Sequence, residues 1–404
     1  MERCGAGNAC GFDLHDDGLT MAWIRRRLKA WWPEGRAGRQ LWQHLLFSRL
    51  ALVLVGWIAL ALLPWQYYSP TYDTTSNPLI LMWIRWDALW YTGIAAHGYW
   101  TQALAFFPLY PMLIAVGHFL LRLPVDVSAV VVSNVAMVLF VVTFYRLVSE
   151  YYGGLTARRS VWMALMFPTA FYMSAGYTES LFLWLTSAAF LASAKRQFWW
   201  AGVYGLFATL TRNEGLFVAF PFLWAYYQKH GFRLTRDIIP IFLIPLGLAI
   251  FMVYQWRDFG NPLGFMAAQS LWGRHITWPW NGIFMAVGTI WKGGPLQPNT
   301  ILSMIDLVAA LSSGALWVYS LKRRFPPDWL VYWGVLWLID VAAPAPQGQS
   351  PLLSMSRLVL ALFPSFVALG ILARNSVWRR MLQWVLPSLQ VVFFVIFATW
   401  HWIA

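Results

Sequence analysis

Long apolar runs separated by short polar or basic segments dominate the chain from residue 45 onward. A membrane-spanning helix needs about 20 apolar residues. The runs that approach this length are 45–64, 104–121, 127–148, 160–176, 179–194, 198–211, 214–228, 238–256, 301–321, 329–343, 357–373 and 383–402. Several are short and end in polar residues, which is typical of helices that end at a water-filled cavity. The pattern predicts an all-α, polytopic membrane protein.

Basic clusters between the runs indicate how the chain crosses the membrane, because Lys and Arg accumulate in cytoplasmic loops. The clusters are Arg158-Arg159, Lys195-Arg196, Lys229 to Arg236, Lys322 to Arg324 and Arg374 to Arg380. We place all of them in the cytoplasm, together with a basic N-terminal tail, residues 1–44. An even number of crossings must then precede Arg158, so we predict that 104–121 is a juxtamembrane helix and that about eleven crossings remain.

This topology leaves two long loops on the outer face. Residues 65–126 form the first outer loop and residues 257–300 the second, which we expect to contain another helix at about 282–292. Long ordered loops in compact domains are usually functional. Residues 45–404 are accordingly predicted to form a single membrane domain whose chemistry lies on the outer side.

The composition supports the membrane assignment and excludes nucleic acid as a partner. Of the 404 residues, 59% are hydrophobic and 11% charged, whereas soluble domains carry about 25% charged residues. The net charge is +13, but the basic residues lie in separate clusters rather than on one face with interleaved aromatics. The 28 tryptophans suit a protein with many membrane–water boundaries.

One acid in the first outer loop is the leading catalytic candidate. Asp87 follows Arg85 and Trp86 and lies among aromatic residues. A charged group in such surroundings is costly unless it is paired or used, and a carboxylate is a suitable general base. A salt bridge to Arg85 or to a distant arginine would explain Asp87 without any chemistry.

Two further acids lie at the outer ends of short apolar runs. Glu179 and Glu214 therefore indicate one polar cavity that opens outward. The structural alternative is that each is an acid favoured by the positive end of a helix dipole. In that case Thr178 would cap the helix of Glu179, and Arg212 would pair with Glu214.

Three arginines on the same predicted face are candidates for binding a phosphate, which guanidinium groups hold in bidentate fashion. They are Arg212, Arg274 and Arg357. The alternative is that they contact lipid headgroups. The sequence contains no nucleotide-binding glycine loop, no His-Glu-x-x-His and no Asp-x-Asp. We therefore expect no metal ion or other cofactor, as a donor already in the membrane would permit.

Several ordered motifs resemble those of the PIG-V-type mannosyltransferase family. The match covers residues 45–230, and it is looser in the C-terminal third. The motifs are Arg85-Trp86-Asp87, Ile94 to Tyr99, Ala105 to Pro111, Phe167 to Ala170, Ser174 to Phe182 and Thr211 to Gly215, followed by Asn261 to Leu263, Trp272 to Arg274 and Ser356 to Leu360.

The resemblance implies a GT-C fold with juxtamembrane helices in the first outer loop. It also implies polyprenyl- or dolichyl-phosphate mannose as the donor, and a glycan or glycolipid acceptor on the extracytoplasmic face. The family's Trp-Asp pair falls on Trp86 and Asp87, so Asp87 is the implied base. Relatives often have Ser-Asn-Gly where this chain has Asn213-Glu214-Gly215, so Glu214 either alters specificity or is neutral.

The predicted function is inverting transfer of a hexose, mannose above all, from the lipid phosphate to the acceptor. Asp87 would take the acceptor proton, and Arg212 or Arg357 would stabilise the leaving phosphate. The remaining residues expected to bind donor or acceptor are Arg85, Trp86, His97, Tyr177, Glu179, Glu214 and Arg274. A transporter or flippase for a lipid-linked sugar and an O-antigen-ligase-like transferase are the alternatives.

The predicted location is the plasma (inner) membrane of a prokaryote, crossed many times, with a cytoplasmic N-terminus and an outward-facing active site. The compact length and the absence of an Asn-x-Ser/Thr sequon favour a prokaryotic protein over the eukaryotic family members.

Overall fold

The computed structural model describes residues 33, 35–64, 75, 77–270, 273–346 and 348–403. Within these ranges the chain forms α-helices and short 3-10 helices, and no β-strand. The prediction of an all-α fold is therefore confirmed. Most of the predicted cytoplasmic tail and residues 65–74 of the first outer loop lie outside the described residues.

The N-terminal half contains a long first helix, three shorter helices in the region of the predicted first outer loop, and four more helices. They are α1 (Gly35–Leu62), α2 (Pro78–Leu81), α3 (Asp87–His97), α4 (Leu109–Leu121), α5 (Val125–Leu165), α6 (Glu179–Ala194), α7 (Phe198–Thr211) and α8 (Ala219–His230). Short 3-10 helices at Thr101–Ala105, Ala170–Met173 and Asn213–Val218 lie between them.

The C-terminal half continues with α9 (Leu243–Phe259), α10 (Gly264–Gln269), α11 (Pro279–Lys292), α12 (Pro298–Lys322), α13 (Pro327–Ala342), α14 (Met355–Leu358), α15 (Pro364–Leu372) and α16 (Ser376–Ala398). Proline occupies the first helical position in α11, α12, α13 and α15. It fits there because the first N–H groups of a helix have no intrahelical acceptor. Further 3-10 helices lie at Arg236–Phe242 and Val359–Ala361.

Several helices are long and apolar enough to cross a membrane, so the protein is a multi-pass membrane protein. Among the described residues there are five such segments, at Ala37–Leu62, Val125–Leu165, Arg236–Phe259, Pro298–Lys322 and Ser376–Ala398. The pair Met355–Ala361 and Pro364–Leu372, bent by 87°, brings the number to six if it counts as one span. The predicted count of about eleven crossings is not confirmed.

The runs 127–148 and 160–176 begin on two separate helical segments, both within the range of α5. Gly153 lies between these segments and has non-helical backbone (φ 78°, ψ 161°), so the chain is sharply kinked there. Glycine adopts positive φ without a steric penalty. The second run is helical only to Leu165, in keeping with Pro168, which disfavours helical backbone at Phe167. The chain from 166 to 178 is therefore free to form turns.

The run 104–121 does not form a single membrane-spanning helix, as the topology argument requires. Its helical part, α4, has 13 residues and is therefore about 20 Å long, too short to cross a hydrocarbon core of about 30 Å. Placement of α4 on the outer surface stays a prediction. A helix also forms at the expected position in the second loop, where α11 ends at Lys292, directly before Gly293.

A half-buried arginine of α1 holds the irregular segment after α5. Arg49 donates to Leu165 O at 3.1 Å, to Ala170 O at 3.2 Å and to Ser174 Oγ at 3.2 Å. The carbonyls at a helix end have no partner within the helix, so these bonds stabilise the end of α5. They fix the path of the chain toward Glu179, at the start of α6.

Candidate active site

A polar cavity of about 150 Å³ lies where α3 and α14 meet the end of α7. Five of the ten predicted site residues line it, although they come from distant parts of the chain. These five are Asp87, Arg212, Glu214, Arg274 and Arg357. Two acids and three arginines from distant sequence motifs therefore share one cavity.

Asp87 and Arg357 form a close ion pair at this cavity. Arg357 Nη1 donates to Asp87 Oδ2 at 2.6 Å, across 270 residues of sequence. The side chains are 11% and 18% exposed for Arg357 and Asp87, respectively. The guanidinium carbon also lies 5.6 Å and 5.3 Å from the ring centres of Tyr172 and Tyr177, within the range of a cation–π contact. The partner of Asp87 is thus a distant arginine rather than Arg85.

Glu179 lies behind this pair and has a side chain that is 1% exposed. Its Oε1 lies 3.6 Å from Arg212 Nη2 and 3.7 Å from Arg357 Nε, which are ion-pair distances without hydrogen bonds. Both carboxylate oxygens lack a hydrogen-bond partner among the described residues. Such atoms are rare in folded proteins and concentrate where function requires them. The alternative role of Thr178 as a helix cap is not supported, because α6 has no side-chain cap bond.

Strained backbone lies on both sides of the ion pair. Trp86 (φ 52°, ψ −115°) directly precedes Asp87, and Ser354 (φ 63°, ψ 19°) precedes the helical turn that contains Arg357. Positive φ is uncommon for residues other than glycine and clusters at functional sites. The ring of Trp86 is held in edge contacts with Trp400 and Trp402, at centroid distances of 5.6 Å and 5.2 Å.

Tyr177 supports the start of α3. Its hydroxyl donates to Arg85 O at 3.0 Å and accepts from Asp87 N at 3.2 Å. The ring also packs against the guanidinium of Arg357. Tyr177 therefore positions both members of the ion pair, and its hydroxyl is already engaged by the backbone.

Arg85, Trp86 and His97, three of the predicted binding residues, do not line the cavity. Arg85 donates to Ala398 O at 3.0 Å and to Leu81 O at 2.6 Å, which satisfies a carbonyl at the end of α16. His97 is exposed at the last position of α3, and the 11 residues of this helix place it about 15 Å along the axis from Asp87.

Asp306 is a site residue that sequence reasoning missed. It is 3% exposed, and its Oδ1 accepts from Ser356 N at 2.9 Å. Thr169 Oγ1 donates to Ser356 O at 2.9 Å. The N–H and the C=O of Ser356, the residue before Arg357, are therefore both hydrogen-bonded. An acid within the apolar run 301–321 was the available signal, because such acids are rare in membrane segments and are usually functional.

Other cavity-lining residues lacked any signal in the sequence. Tyr91, Gln269 and Trp402 all line the cavity. Trp402 comes from the C-terminal segment, far from every motif.

Arg274, one of the predicted residues, is held by a hydrogen bond from its Nη2 to Leu353 O at 2.6 Å.

The cavity brings charged side chains of both signs together. Three guanidinium groups line it, together with two carboxylates, those of Asp87 and Glu214. A third carboxylate, that of Glu179, lies behind the arginines. No group of three or more His, Cys, Asp or Glu residues in the described part of the chain is arranged to hold a metal ion.

A multi-pass helical bundle with a cavity lined by arginines and carboxylates defines a membrane protein with a charged candidate site. The family model for Mannosyltransferase (PIG-V) matches residues 40–253, which include Asp87, Glu179, Arg212 and Glu214. This chain belongs to that family, as the motifs predicted.

Curated relatives of this chain are GPI mannosyltransferases. GPI alpha-1,6-mannosyltransferase 2 from Cricetulus griseus is 30% identical in an alignment 207 residues long, which covers 44% of this chain and 41% of the relative. The Homo sapiens protein of the same name is 25% identical over 57% of this chain and 54% of its own length. GPI mannosyltransferase 2 from Schizosaccharomyces pombe is 33% identical over 34% and 31%, respectively. The chain thus spans about a third to a half of the length of these relatives.

Two solved membrane proteins have similar folds. ArnT from Cupriavidus metallidurans, bound to undecaprenyl phosphate, matches 88% of this chain and 75% of its own at a TM-score of 0.48 and 12% identity. The Archaeoglobus fulgidus oligosaccharyltransferase matches 87% and 55% at a TM-score of 0.40 and 12% identity. At these values the likeness carries no argument about mechanism.

Proposed function

We propose that this protein is a glycosyltransferase that moves mannose from a polyprenyl- or dolichyl-phosphate donor to a glycan or glycolipid acceptor. Membership of the mannosyltransferase family supports the reaction class. The observation that carries the proposal is the meeting of Asp87 with Arg212, Arg274 and Arg357 at one cavity. A carboxylate beside phosphate-binding groups is what transfer from a sugar phosphate requires.

In the proposed reaction, Asp87 accepts the proton of the acceptor hydroxyl as that oxygen attacks the anomeric carbon of mannose. The new carbon–oxygen bond forms while the bond to the phosphate oxygen breaks, and the lipid phosphate leaves with the electron pair. A single displacement inverts the anomeric centre. Fixed positive groups at the leaving oxygen lower the barrier because the charge develops there in the transition state.

The ion pair between Asp87 and Arg357 gives this site a binding order. While Arg357 Nη1 bonds to Asp87 Oδ2 at 2.6 Å, that carboxylate oxygen is engaged and is not free to accept the proton of an acceptor hydroxyl. A donor phosphate competes for the guanidinium and releases the carboxylate. The donor therefore binds before proton transfer from the acceptor becomes efficient.

Arg212 and Arg274 complete the phosphate site in this proposal, and the three arginines supply the positive charge that a divalent metal supplies in other transferases. Glu179 restrains two of these arginines from behind. Glu214, which also lines the cavity, faces the sugar or acceptor and is a candidate for specificity. No metal or other cofactor takes part in the reaction as proposed.

The proposed setting is the plasma (inner) membrane of a prokaryote, with the N-terminus in the cytoplasm and the cavity facing outward. The domain division stays as predicted, with a basic tail (1–44), one GT-C membrane domain (45–404) and outer loops at 65–126 and 257–300. The placement of the basic clusters under the positive-inside rule supports this orientation.

The substitution Asp87→Asn tests the mechanism. It keeps the size of the side chain but removes the base, and general bases contribute roughly a hundredfold or more to rate. Membranes containing the variant are supplied with radiolabelled polyprenyl-phosphate mannose and a lipid extract from cells that lack the gene. We expect incorporation of label into glycolipid or glycan to fall by about two orders of magnitude.

The matched control is Asp258→Asn, which alters an exposed acid in the last turn of α9 and should leave transfer unchanged. Wild-type incorporation by a folded, membrane-inserted Asp87→Asn protein would show that the base assignment is wrong. Movement of labelled donor across the bilayer without a new glycosidic bond would instead favour the transporter.

A further inference from the structure

A second charged pocket lies at the other end of the bundle. Arg379, in the first turn of α16, lines it, whereas the last residue of α16, Ala398, receives the hydrogen bonds of Arg85 near Asp87. The 23 residues of α16 span about 33 Å, close to the thickness of a hydrocarbon core. The two pockets therefore face opposite sides of the membrane.

This basic pocket has a volume of about 240 Å³ and is lined by arginines from two distant sequence clusters. Arg158 and Arg159 come from α5 and Arg379 from α16, and each is half-buried. Gln40, His44 and Gln383 are its other polar lining residues, and no carboxylate of the described residues lines it.

The basic residues have no counter-ion in the described part of the chain. Arg158 Nη1 donates to the neutral Gln40 Oε1 at 2.6 Å, and none of the described ion pairs includes an arginine of this pocket. The charges of Arg158, Arg374 and Arg379 all act unfavourably on Arg159. In addition, His44 Nδ1 is buried without a hydrogen-bond partner among the described residues.

The positive-inside rule explains why arginines lie on one side of a membrane protein, but not why they converge. Topology requires only that they be near the ends of the spans, and mutual repulsion favours keeping them apart. Three half-buried guanidinium groups around one pocket are stabilised when an anion occupies it. Guanidinium forks match phosphate oxygens in bidentate geometry.

We propose that the basic pocket binds a phosphate group on the side of the membrane opposite to the active site. The remaining lining residues, among them Leu155, Trp162 and Met163, are apolar. Together with the arginines, they suit an anionic phospholipid, whose headgroup phosphate is the proposed ligand. Basic pockets between membrane helices generally bind such headgroups. Free inorganic phosphate presents the same chemistry from the aqueous side. This site is independent of the proposed transfer reaction.

The test uses the full-length protein, purified in detergent and delipidated. One sample enters nanodiscs of phosphatidylcholine, a second enters nanodiscs that also contain phosphatidylglycerol, and a third receives inorganic phosphate in detergent. We expect phosphatidylglycerol to raise the unfolding midpoint of the wild type and to be retained in native mass spectra. The double variant Arg159→Gln/Arg379→Gln should retain roughly tenfold less of this lipid.

The control is Arg236→Gln, which removes one exposed charge from another of the basic clusters and should behave as wild type. Equal loss in the control would mean that surface charge alone attracts the lipid, and the proposal would be overturned. Stabilisation by inorganic phosphate but not by phosphatidylglycerol would support the phosphate site and would identify free phosphate, rather than a lipid headgroup, as its ligand.

An acid of the chain itself is the other candidate occupant, because Glu34 lies outside the described residues but only six positions before Gln40. A wild type that responds to neither probe, together with a Glu34→Gln variant that responds, would place that acid in the pocket and overturn the proposal. No response from either protein would overturn it as well. Size-exclusion profiles of all variants establish that they are folded.

Discussion

Arg357 contacts two carboxylates and two tyrosines at the candidate active site. It bonds to Asp87, lies 3.7 Å from Glu179 and faces the rings of Tyr172 and Tyr177. Its position is determined by the preceding residue, Ser356, whose N–H and C=O groups are both held. One side chain thus links the proposed base, Asp87, to the buried carboxylate of Glu179.

Replacing Arg357 by lysine tests whether its charge alone, or also its planar guanidinium group, is needed to bind the donor. Arg357→Lys keeps the positive charge but loses the planar fork, so we expect KM for the lipid-phosphate donor to rise by roughly tenfold or more, with a smaller change in kcat. Steady-state assays at varied donor concentration measure this split. If Arg274→Lys raises the donor KM and Arg357→Lys does not, the phosphate is bound mainly by Arg274.

Arg357→Gln should in addition destabilise the protein. It leaves Asp87 without its arginine and Glu179 with one instead of two, and breaking a buried ion pair from one side costs about 3–5 kcal/mol. Thermal unfolding in detergent should show a clearly lower midpoint than for Arg357→Lys. Equal midpoints for the two variants would mean that the ion pair contributes little to stability.

Asp306 is predicted to position Arg357 through the backbone of Ser356. Asp306→Asn keeps an acceptor oxygen and should retain most of the activity, whereas Asp306→Ala removes the bond and should raise the donor KM by about tenfold, comparable to loss of one hydrogen bond to a charged group. A donor KM that stays near the wild-type value in Asn but rises in Ala would show that the hydrogen-bond acceptor matters and the negative charge does not. Equal donor KM values for Ala and Asn would contradict it.

At the scale of elements, glycines allow α7 to pack closely against α9 and against the 3-10 helix Arg236–Phe242 that precedes it. A Cβ at Gly202 would lie 2.3 Å from Pro240 O, and one at Gly247 would lie 2.5 Å from Leu206 O. Small residues permit such approach of backbones in membrane bundles. This contact supports α7, whose C-terminal end leads directly to Arg212.

Gly202→Ala and Gly247→Ala should therefore each destabilise the fold. The added methyl meets a backbone carbonyl, which cannot rotate away, and overpacking of this kind costs about 1–3 kcal/mol. Gly288→Ala in α11 is the matched control, because no atom lies within 4 Å of its added Cβ. Thermal unfolding of the three variants compares them, and a drop for Gly288→Ala equal to the others would contradict the packing argument.

At the scale of the molecule, the active-site cavity and the basic pocket lie at opposite ends of the bundle. The start of α12 lies near the cavity, since Asp306 is two turns into this helix and bonds to Ser356. The 3-10 helix from Arg236 to Phe242 precedes α9, whose Gln255 reaches Leu104 O near the cavity. Gln297 and Arg236, which are both exposed, therefore mark the two ends.

Single cysteines at these positions test the proposed orientation in a background where Cys4 and Cys10 are replaced by serine. Gln297→Cys should react with a membrane-impermeant maleimide in intact cells if the cavity faces outward as proposed. Arg236→Cys should react only after permeabilisation. The reverse labelling pattern would place the active site in the cytoplasm.

The sequence alone was sufficient for the fold class, the family and the identity of the principal charged residues. Apolar runs predict membrane helices because lipid solvates apolar surface and leaves no alternative partner for the backbone. Asp87, Arg212, Glu214, Arg274 and Arg357 were recognisable because charges are costly in such surroundings. The local prolines and glycines also explain where α4 and α11 begin or end.

Only the tertiary structure decided which charges meet. No local rule pairs Asp87 with Arg357 rather than with Arg85, since the contact depends on how α3 and α14 are placed by the whole bundle. The same holds for Asp306 behind Ser356 and for the convergence of Arg159 and Arg379. Periodicity and cost of burial are properties of a segment, whereas a site is a property of segments brought together across hundreds of residues.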